Sequence, residues 1–302
     1  MFESPVTKKT VFLALFFSFF VCLFIFINNY FDERTKIVFC DVGQGDGAYI
    51  RIKNKVDVLI DAGPDQKILS CLGKYMPFWD RKIELAFLSH PNRDHYNGYF
   101  FIADRYKIDR FITVDVNDLI VSKTYKKLIN KISDKNIPVL FKYSGDKILL
   151  GKGDSRIAPT ITLYWPPKDF TSPNDNDFSS VILFSVGVLP ASPAGGREKP
   201  FRLLFTGDAS SFVLGRLSHG AIKKVDILKI PHHGSKNGLT KRFLDLADPM
   251  IAVISVGKGN SYGHPHQKIL DMLKAKNIYT EQSRSIKILR TDKDGDIKFE
   301  IN

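Results

Sequence analysis

Two histidines, an asparagine and an aspartate fall within six residues of this 302-residue chain, at His90, Asn92, Asp94 and His95. They directly follow the apolar run 83–88, which reads as a buried strand. Their loop would then project from a rigid scaffold, the usual seat of chemistry. Two imidazoles and a carboxylate so closely spaced can converge on one cation. A single loop histidine is more often just hydrogen-bonded, but the other histidines are grouped as well. His232 pairs with His233 and His264 with His266, leaving His219 apart and without a role. Each pair follows a β-branched apolar run, 225–230 and 250–256, and another run, 203–208, ends in Asp208. Parallel segments that each deliver a His or Asp at one end assemble a metal site from the loops of an α/β sandwich.

The segment 90–95 (HPNRDH) resembles the HxHxDH ligand motif of the metallo-β-lactamase superfamily, and 205–208 (FTGD) resembles the stretch carrying its bridging aspartate. A finer resemblance is to the metallo-β-lactamase-like domain of ComEC-type DNA-internalisation competence proteins. It rests on 39–46 (FCDVGQGD), 59–63 (LIDAG), 228–235 (LKIPHHGS) and 262–266 (YGHPH), and runs from about residue 36 to the C-terminus. The polytopic channel region of those proteins has no counterpart in this sequence. The resemblance implies a four-layer αββα fold and one or two divalent metal ions, zinc or manganese. The ligands would come from His90, Asn92, Asp94, His95, Asp208, His232, His233 and His264. Asp94, Asp208 and His264 are the implied catalytic residues, with Asp208 as the bridge. Whether His264 or His266 is the last ligand or the proton donor stays open. Asp61 resembles the first-motif aspartate and is expected to hold the ligand loop by hydrogen bonds, with Asp41 and Asp46 in similar roles.

Two departures stand out. Asn92 occupies a position where most members carry a second histidine. No histidine lies between His95 and His219, and the polar run 174–177 (NDND) sits where the third-motif ligand is expected. Oxygen donors in place of imidazoles harden that half of the site and favour manganese or magnesium over zinc. One metal position is therefore expected to bind tightly and the other weakly.

Two ions sharing a carboxylate turn water into a strong nucleophile, and their clamp on charged oxygens favours phosphoryl chemistry. Lys236, just after HHGS, is a candidate contact for a substrate phosphate. The glycine-rich 43–47 lacks the lysine of a phosphate-binding loop and precedes a strand, so a phosphate cradle is not expected there. A tight turn bringing backbone to the metal loops explains it better. The net charge of +12 suits a polyanion. Lysines gather over 123–147 and at Lys223, Lys224 and Lys229, with Tyr125, Phe141 and Tyr143 among the first group, a mixture that suits single-stranded DNA. A solvated helix face or anionic lipid headgroups would use the same charge. The leading expectation is a membrane-anchored, metal-dependent phosphodiesterase, a nuclease acting on DNA. The alternatives are a hydrolase of a small or lipid-linked ester or amide, and a non-catalytic nucleic-acid-binding module at the membrane.

The elements that must position these residues begin with a separate message. Residues 11–27 are apolar apart from Ser18, about the shortest length that spans a bilayer core. No small-residue cleavage site follows, so an anchor is expected over a signal peptide. Lys8 and Lys9 precede the span, which puts the N-terminus in the cytoplasm and the remainder outside. The expected division is a cytoplasmic 1–10, an anchor at 11–29, a linker at 30–35 and one hydrolase domain over 36–302. Hydrophobic residues make up 44% of the chain, enough for a core. Cys22 lies in the span; Cys40 and Cys71 could pair outside the cell, but free thiols are expected. Strands are predicted over 36–42, 48–52, 56–60, 83–88 and 111–114, then over 161–165, 181–188 and 202–205 in a second sheet. Helices are predicted over 65–76, 119–134 and 267–276, a hairpin loop over 188–200, and a closing hairpin over 286–301 turning at Asp294 and Gly295.

Overall fold

The computed structural model describes residues 7–116, 121–151, 158–187, 199–217, 222, 224–276 and 285–301. Helix α1 (Lys8–Tyr30) comes first, and its stretch Lys8–Ile27 is long and apolar enough to cross a membrane. None of that stretch is buried against the rest of the protein.

An antiparallel meander follows, β1 (Thr35–Phe39), β2 (Gly47–Ile52) and β3 (Val56–Ala62). Next come α2 (Lys67–Tyr75), β4 (Lys82–Ile83) and β5 (Leu85–Phe87), the last parallel to β3. Helices α3 (Arg93–Tyr96) and α4 (Tyr99–Arg105) lead to β6 (Lys107–Ile108) and β7 (Phe111–Thr113), then α5 (Lys123–Asp134) and β8 (Val139–Phe141). The second half holds β9 (Lys147–Leu149), β10 (Thr160–Trp165), β11 (Val181–Val186) and β12 (Phe201–Phe205), all antiparallel to their neighbours in that run. Then α6 (Ser211–Arg216), β13 (Ile227–Lys229), α7 (Lys241–Ala247), β14 (Ile251–Ile254), α8 (Gln267–Ala275) and β15 (Lys287–Arg290) extend it in parallel. The chain closes with α9 (Thr291–Asp294) and β16 (Ile297–Ile301).

Among the described residues these strands form two seven-stranded sheets, ordered β16-β1-β2-β3-β5-β7-β8 and β15-β14-β13-β12-β11-β10-β9, and a two-stranded sheet of β4 and β6. The inner faces meet through residues such as Ile37, Phe39, Ile50, Phe87, Phe184 and Leu203. The outer face of the first sheet packs on α2, α4 and α5, and that of the second on α6, α7 and α8. That is the expected four-layer αββα sandwich.

Three expectations are corrected. Residues 286–301 do not form a hairpin, because β15 pairs in parallel with β14 while β16 pairs antiparallel with β1 in the other sheet. Two adjacent alternating segments read equally well as a hairpin. Here α9 carries the chain across, tied down where the Thr291 hydroxyl donates to the Val256 carbonyl at 2.9 Å. The cysteines are not free thiols either: Cys40, next after β1, is bonded to Cys71 on the buried face of α2, with Cα atoms 5.8 Å apart. Their separation of 31 residues gave no sign of it. The run 83–88 also splits, its first part pairing with β6 and its second with β3. Most of the expected loop over 188–200, and His219, lie outside the described residues.

Candidate metal centre

The parallel strands of both sheets end at one edge, and the chemistry-bearing side chains gather there. Strand β3 ends in a bulge, with Gly47 opposite Ala62 but Ala48 opposite Ile60. The extra residue is Asp61, at φ +56°. A bulge re-aims a side chain, and this one points the carboxylate at the loop after β5. Asp61 accepts the Ser89 N–H and O–H, each at 2.7 Å, and the His95 Nδ1–H at 2.8 Å. The Ser89 oxygen in turn accepts from His90 Nδ1 at 3.0 Å. Across the site His233 Nδ1 donates to the Ser255 carbonyl, just past β14, at 2.8 Å. His232 and His233 both sit at left-handed backbone angles, φ 51° and 54°, in the short turn Pro231–Gly234 after β13. Strained non-glycine backbone of this kind persists where the surroundings enforce it, commonly at functional sites.

With Nδ1 engaged on His90, His95 and His233, each ring has its Nε2 left for another partner. All three Nε2 atoms are buried without a hydrogen-bond partner, and so is Asp208 Oδ1. Donor atoms of Asp94, His95, Asp208 and His233 lie within 4.8 Å of one another. His95 Nε2 is 3.3 Å from Asp208 Oδ1, and His233 Nε2 is 3.4 Å from Asp208 Oδ2 and 3.3 Å from Asp94 Oδ2. The His90 ring lies 4.2 Å from that of His95, and His232 Nε2 lies 3.7 Å from Asp208 Oδ2. Leaving one buried polar atom unpaired costs about 1–3 kcal/mol. Several aimed at one point fit a divalent cation, and a mixed nitrogen and carboxylate set suits zinc or manganese.

The glycine-rich turn reaches this cluster by close backbone approach. A Cβ on Gly45 would lie 2.2 Å from the Asp94 carbonyl oxygen, and the Asp46 N–H donates to that same oxygen at 3.3 Å. Asp46 then joins the network from behind, 3.4 Å from His233 Nδ1. Asp46, Asp61 and His95 also meet metal-ligand spacing, but both carboxylates are already engaged in hydrogen bonds or ion pairs. The buried Lys229 ammonium pairs with Asp46 and donates to the Gly207 carbonyl at 3.0 Å.

Other expected residues stand elsewhere. Asn92 donates to Asn176 Oδ1 at 2.7 Å, so the polar run 174–177 meets the first motif as an amide pair. Asp41 does not join the centre; it is exposed and its carboxylate accepts the Gly43 N–H at 3.2 Å. His266 accepts the Lys236 N–H at 3.3 Å and opens α8, whereas His264 leaves a buried Nδ1 unpartnered, its ring 5.7 Å from that of His232. The Lys236 side chain is exposed on the adjoining loop. Tyr125, expected among stacking aromatics, is instead buried edge-on against Tyr96. Phe141 remains exposed.

Sequence reasoning counted Lys229 only as surface charge and passed over Ser89 and Ser255. A lysine inside the apolar run 225–230 was the available signal, since a strand buried on both faces tolerates one only when paired. Nothing in the sequence singles out the two serines.

The electrostatics follow from burial and close opposite charges. Burial alone would raise Asp208, but His233 and His95 more than offset it and hold it well below the usual carboxylate range. Burial would lower His95 and His233, yet Asp208, with Asp61 or Asp46, raises both well above the ordinary imidazole range. His90 is pushed down to about 3 by burial and by His95, and His264 to about 4 by burial and its neighbouring histidines.

No family model matches the chain. It is 25% identical over 298 residues to ComE operon protein 3 of Bacillus subtilis, covering 92% of this chain and 34% of that protein. It is 24% identical over 279 residues to Recombination protein 2 of Haemophilus influenzae, covering 90% and 31%. The chain thus spans about a third of the length of these curated relatives. Among solved structures, the Zn(2+)-bound PqqB of Methylobacterium extorquens shares the fold with a TM-score of 0.51 and 11% identity, covering 85% of this chain and 88% of that one.

Proposed function

We propose that this chain, a ComEC-like protein with a metallo-β-lactamase fold, is a membrane-anchored, metal-dependent phosphodiesterase that cleaves DNA. The observation that carries the reading is the convergence of the buried Nε2 atoms of His95 and His233 on Asp208, with the buried, unpaired His90 Nε2 on the ring beside His95. Asp94, His95, Asp208 and His233 would hold an ion, with His90, His232 and His264 completing the set. When bound, a divalent ion supplies an activated water and neutralises charge developing on phosphoryl oxygens. Asp61 and Ser89 keep the His95 and His90 rings aimed, and Lys229 on Asp46 fixes the 43–47 turn behind them. With its pKa pushed down to about 4, His264 is neutral at pH 7, which suits a ligand better than a proton donor. The Asn92–Asn176 pair makes the second metal position the weaker one.

DNA is favoured as substrate by the net charge of +12 and by relatives named for competence and recombination. A cleft beyond β7, on the same edge as His90, is lined by Val114, Asp115, Lys126, Ile129 and Phe141, and its apolar side chains offer contacts to the bases of an unpaired strand. Helix α1 would anchor residues 11–29 in the bilayer, with 1–10 cytoplasmic, 30–35 a linker and the hydrolase domain 36–302 outside. The Cys40–Cys71 disulfide supports that side, because such bonds persist in oxidising compartments.

Full-length protein in detergent, offered manganese, magnesium or zinc, should cleave single-stranded DNA faster than RNA or a chromogenic phosphodiester. Cleavage of the small ester alone would favour the small-ester hydrolase. Metal-independent DNA binding without cleavage would favour the binding module that the Asn92–Asn176 pairing suggests.

A further inference from the structure

Opposite the metal centre, the loop between α2 and β4 presents two aromatic side chains to solvent. Phe78 is 79% exposed and Trp79 45%. One exposed apolar residue is ordinary; two adjacent large rings on a rigid loop are not. The Asp80 N–H closes the loop on the Pro77 carbonyl at 2.9 Å. The Asp80 carboxylate takes the buried Arg51 guanidinium at 3.0 Å and the Lys82 N–H at 3.2 Å. Phe78 and Trp79 pack edge to face at 4.8 Å, so their exposed surfaces are held as one unit.

The neighbours say what covers them. The Trp79 ring lies 5.5 Å from that of Phe26 on α1, so the patch continues the apolar surface of the spanning helix. Phe31, just past α1, is 71% exposed. Exposed Lys53 and Lys55 occupy the turn whose Asn54 carbonyl accepts from Arg51 at 3.2 Å, while exposed Arg81 and Lys107 lie side by side through a 2.8 Å backbone hydrogen bond. Glu33, Glu84 and Asp109 offset part of this charge, pairing with Lys53 or Lys82. Aromatic rings beside cations at the end of an apolar helix match the interfacial zone of a bilayer, and the cations suit anionic headgroups.

We infer that Phe78 and Trp79 insert into the headgroup region of the bilayer and seat the domain on the membrane, with the metal centre facing away. The inference rests on the reading of α1 as a membrane anchor. The patch lies at the start of β5 and the metal centre beyond its end. Strand β3 spans the same distance with seven residues, about 20 Å from first to last at a rise of ~3.3 Å per step. A nucleic acid would therefore reach the site from the aqueous side, not along the lipid surface.

The chain contains two tryptophans, and Trp165 is buried with its Nε1–H on the Asp177 carbonyl. The difference in emission between wild type and Trp79→Phe therefore reports Trp79. The test reconstitutes both full-length proteins into phosphatidylcholine–phosphatidylglycerol vesicles with lipids brominated near the headgroup end of the chain. Potassium iodide is present on both sides of the membrane, and flotation after alkaline extraction reports anchoring. Trp79 should be quenched by the bromolipid at least about twofold more than Trp165 and be shielded from iodide. A chain that floats while iodide, not bromolipid, quenches Trp79 overturns the seating and leaves the anchor standing. A chain that does not float overturns both.

Discussion

Strand β3 carries two buried aspartates four residues apart, and they live in opposite worlds. At its start, Asp57 belongs to a cluster in which every donor meets an acceptor. Tyr49 donates to it, Arg51 Nη1 reaches it at 2.5 Å and Asp80 at 3.0 Å, and Arg51 Nε donates to Asn54 at 2.6 Å. The Asp57 N–H is taken by Glu84 at 2.7 Å. At its end, Asp61 orients His95 directly and His90 through Ser89, and the buried Nε2 atoms of both rings make no hydrogen bond. Burial is alike in the two clusters and does not mark function. What separates them is satisfaction, since native interiors rarely leave polar atoms unpaired unless something else completes them.

The largest effect should come from the unsatisfied end. Asp208→Ala removes the carboxylate on which His95 and His233 converge, and DNA cleavage should fall at least ~10²–10³-fold, the scale of one strong electrostatic element. Metal content measured on the same preparation should fall with it. Undiminished cleavage by Asp208→Ala would assign the activity to another site.

At the satisfied end the loss should be in stability alone. Arg51→Met strands two carboxylates, and breaking a buried pair costs about 3–5 kcal/mol. Thermal unfolding in detergent should shift down accordingly, while folded protein binds metal as wild type does. A loss of metal binding at unchanged stability would erase the contrast between the clusters.

A smaller effect concerns pH. Burial, opposed by Arg51, pushes Asp57 up to about 7, so the folded chain keeps a proton that the unfolded chain releases near the ordinary value of 3.8. The stability from that proton is fully present below the unfolded value and is lost as pH rises through about 7. Unfolding midpoints of wild type should therefore fall between about pH 4 and 7 more steeply than those of Asp57→Asn. Parallel profiles would show that Asp57 does not titrate in this window.

The same contrast explains what could be read from sequence. Apolar runs ending in His or Asp announced the strands and their common edge, because periodicity and ligand type are local properties. His90, His95, Asp208 and His233 were legible for that reason. Lys229 was not, because its meaning depends on Asp46, which reaches it from the other sheet. The Cys40–Cys71 bond and the crossing of β16 to the first sheet are likewise pairings between distant segments, to which local patterns are blind. Asp41 shares a motif with Asp46, yet one residue caps its own turn and the other enters the core, and only the fold of the turn decides between them.

The Nε2 atoms of His95 and His233 and the Asp208 carboxylate are proposed to bind one cation. X-ray absorption at the metal edge of full-length protein loaded with one equivalent of zinc tests it most directly. The expected spectrum carries multiple scattering from at least two imidazole rings plus oxygen donors, and loses ring scattering in His95→Ala. A spectrum of oxygen donors alone, unchanged in His95→Ala, would contradict the claim.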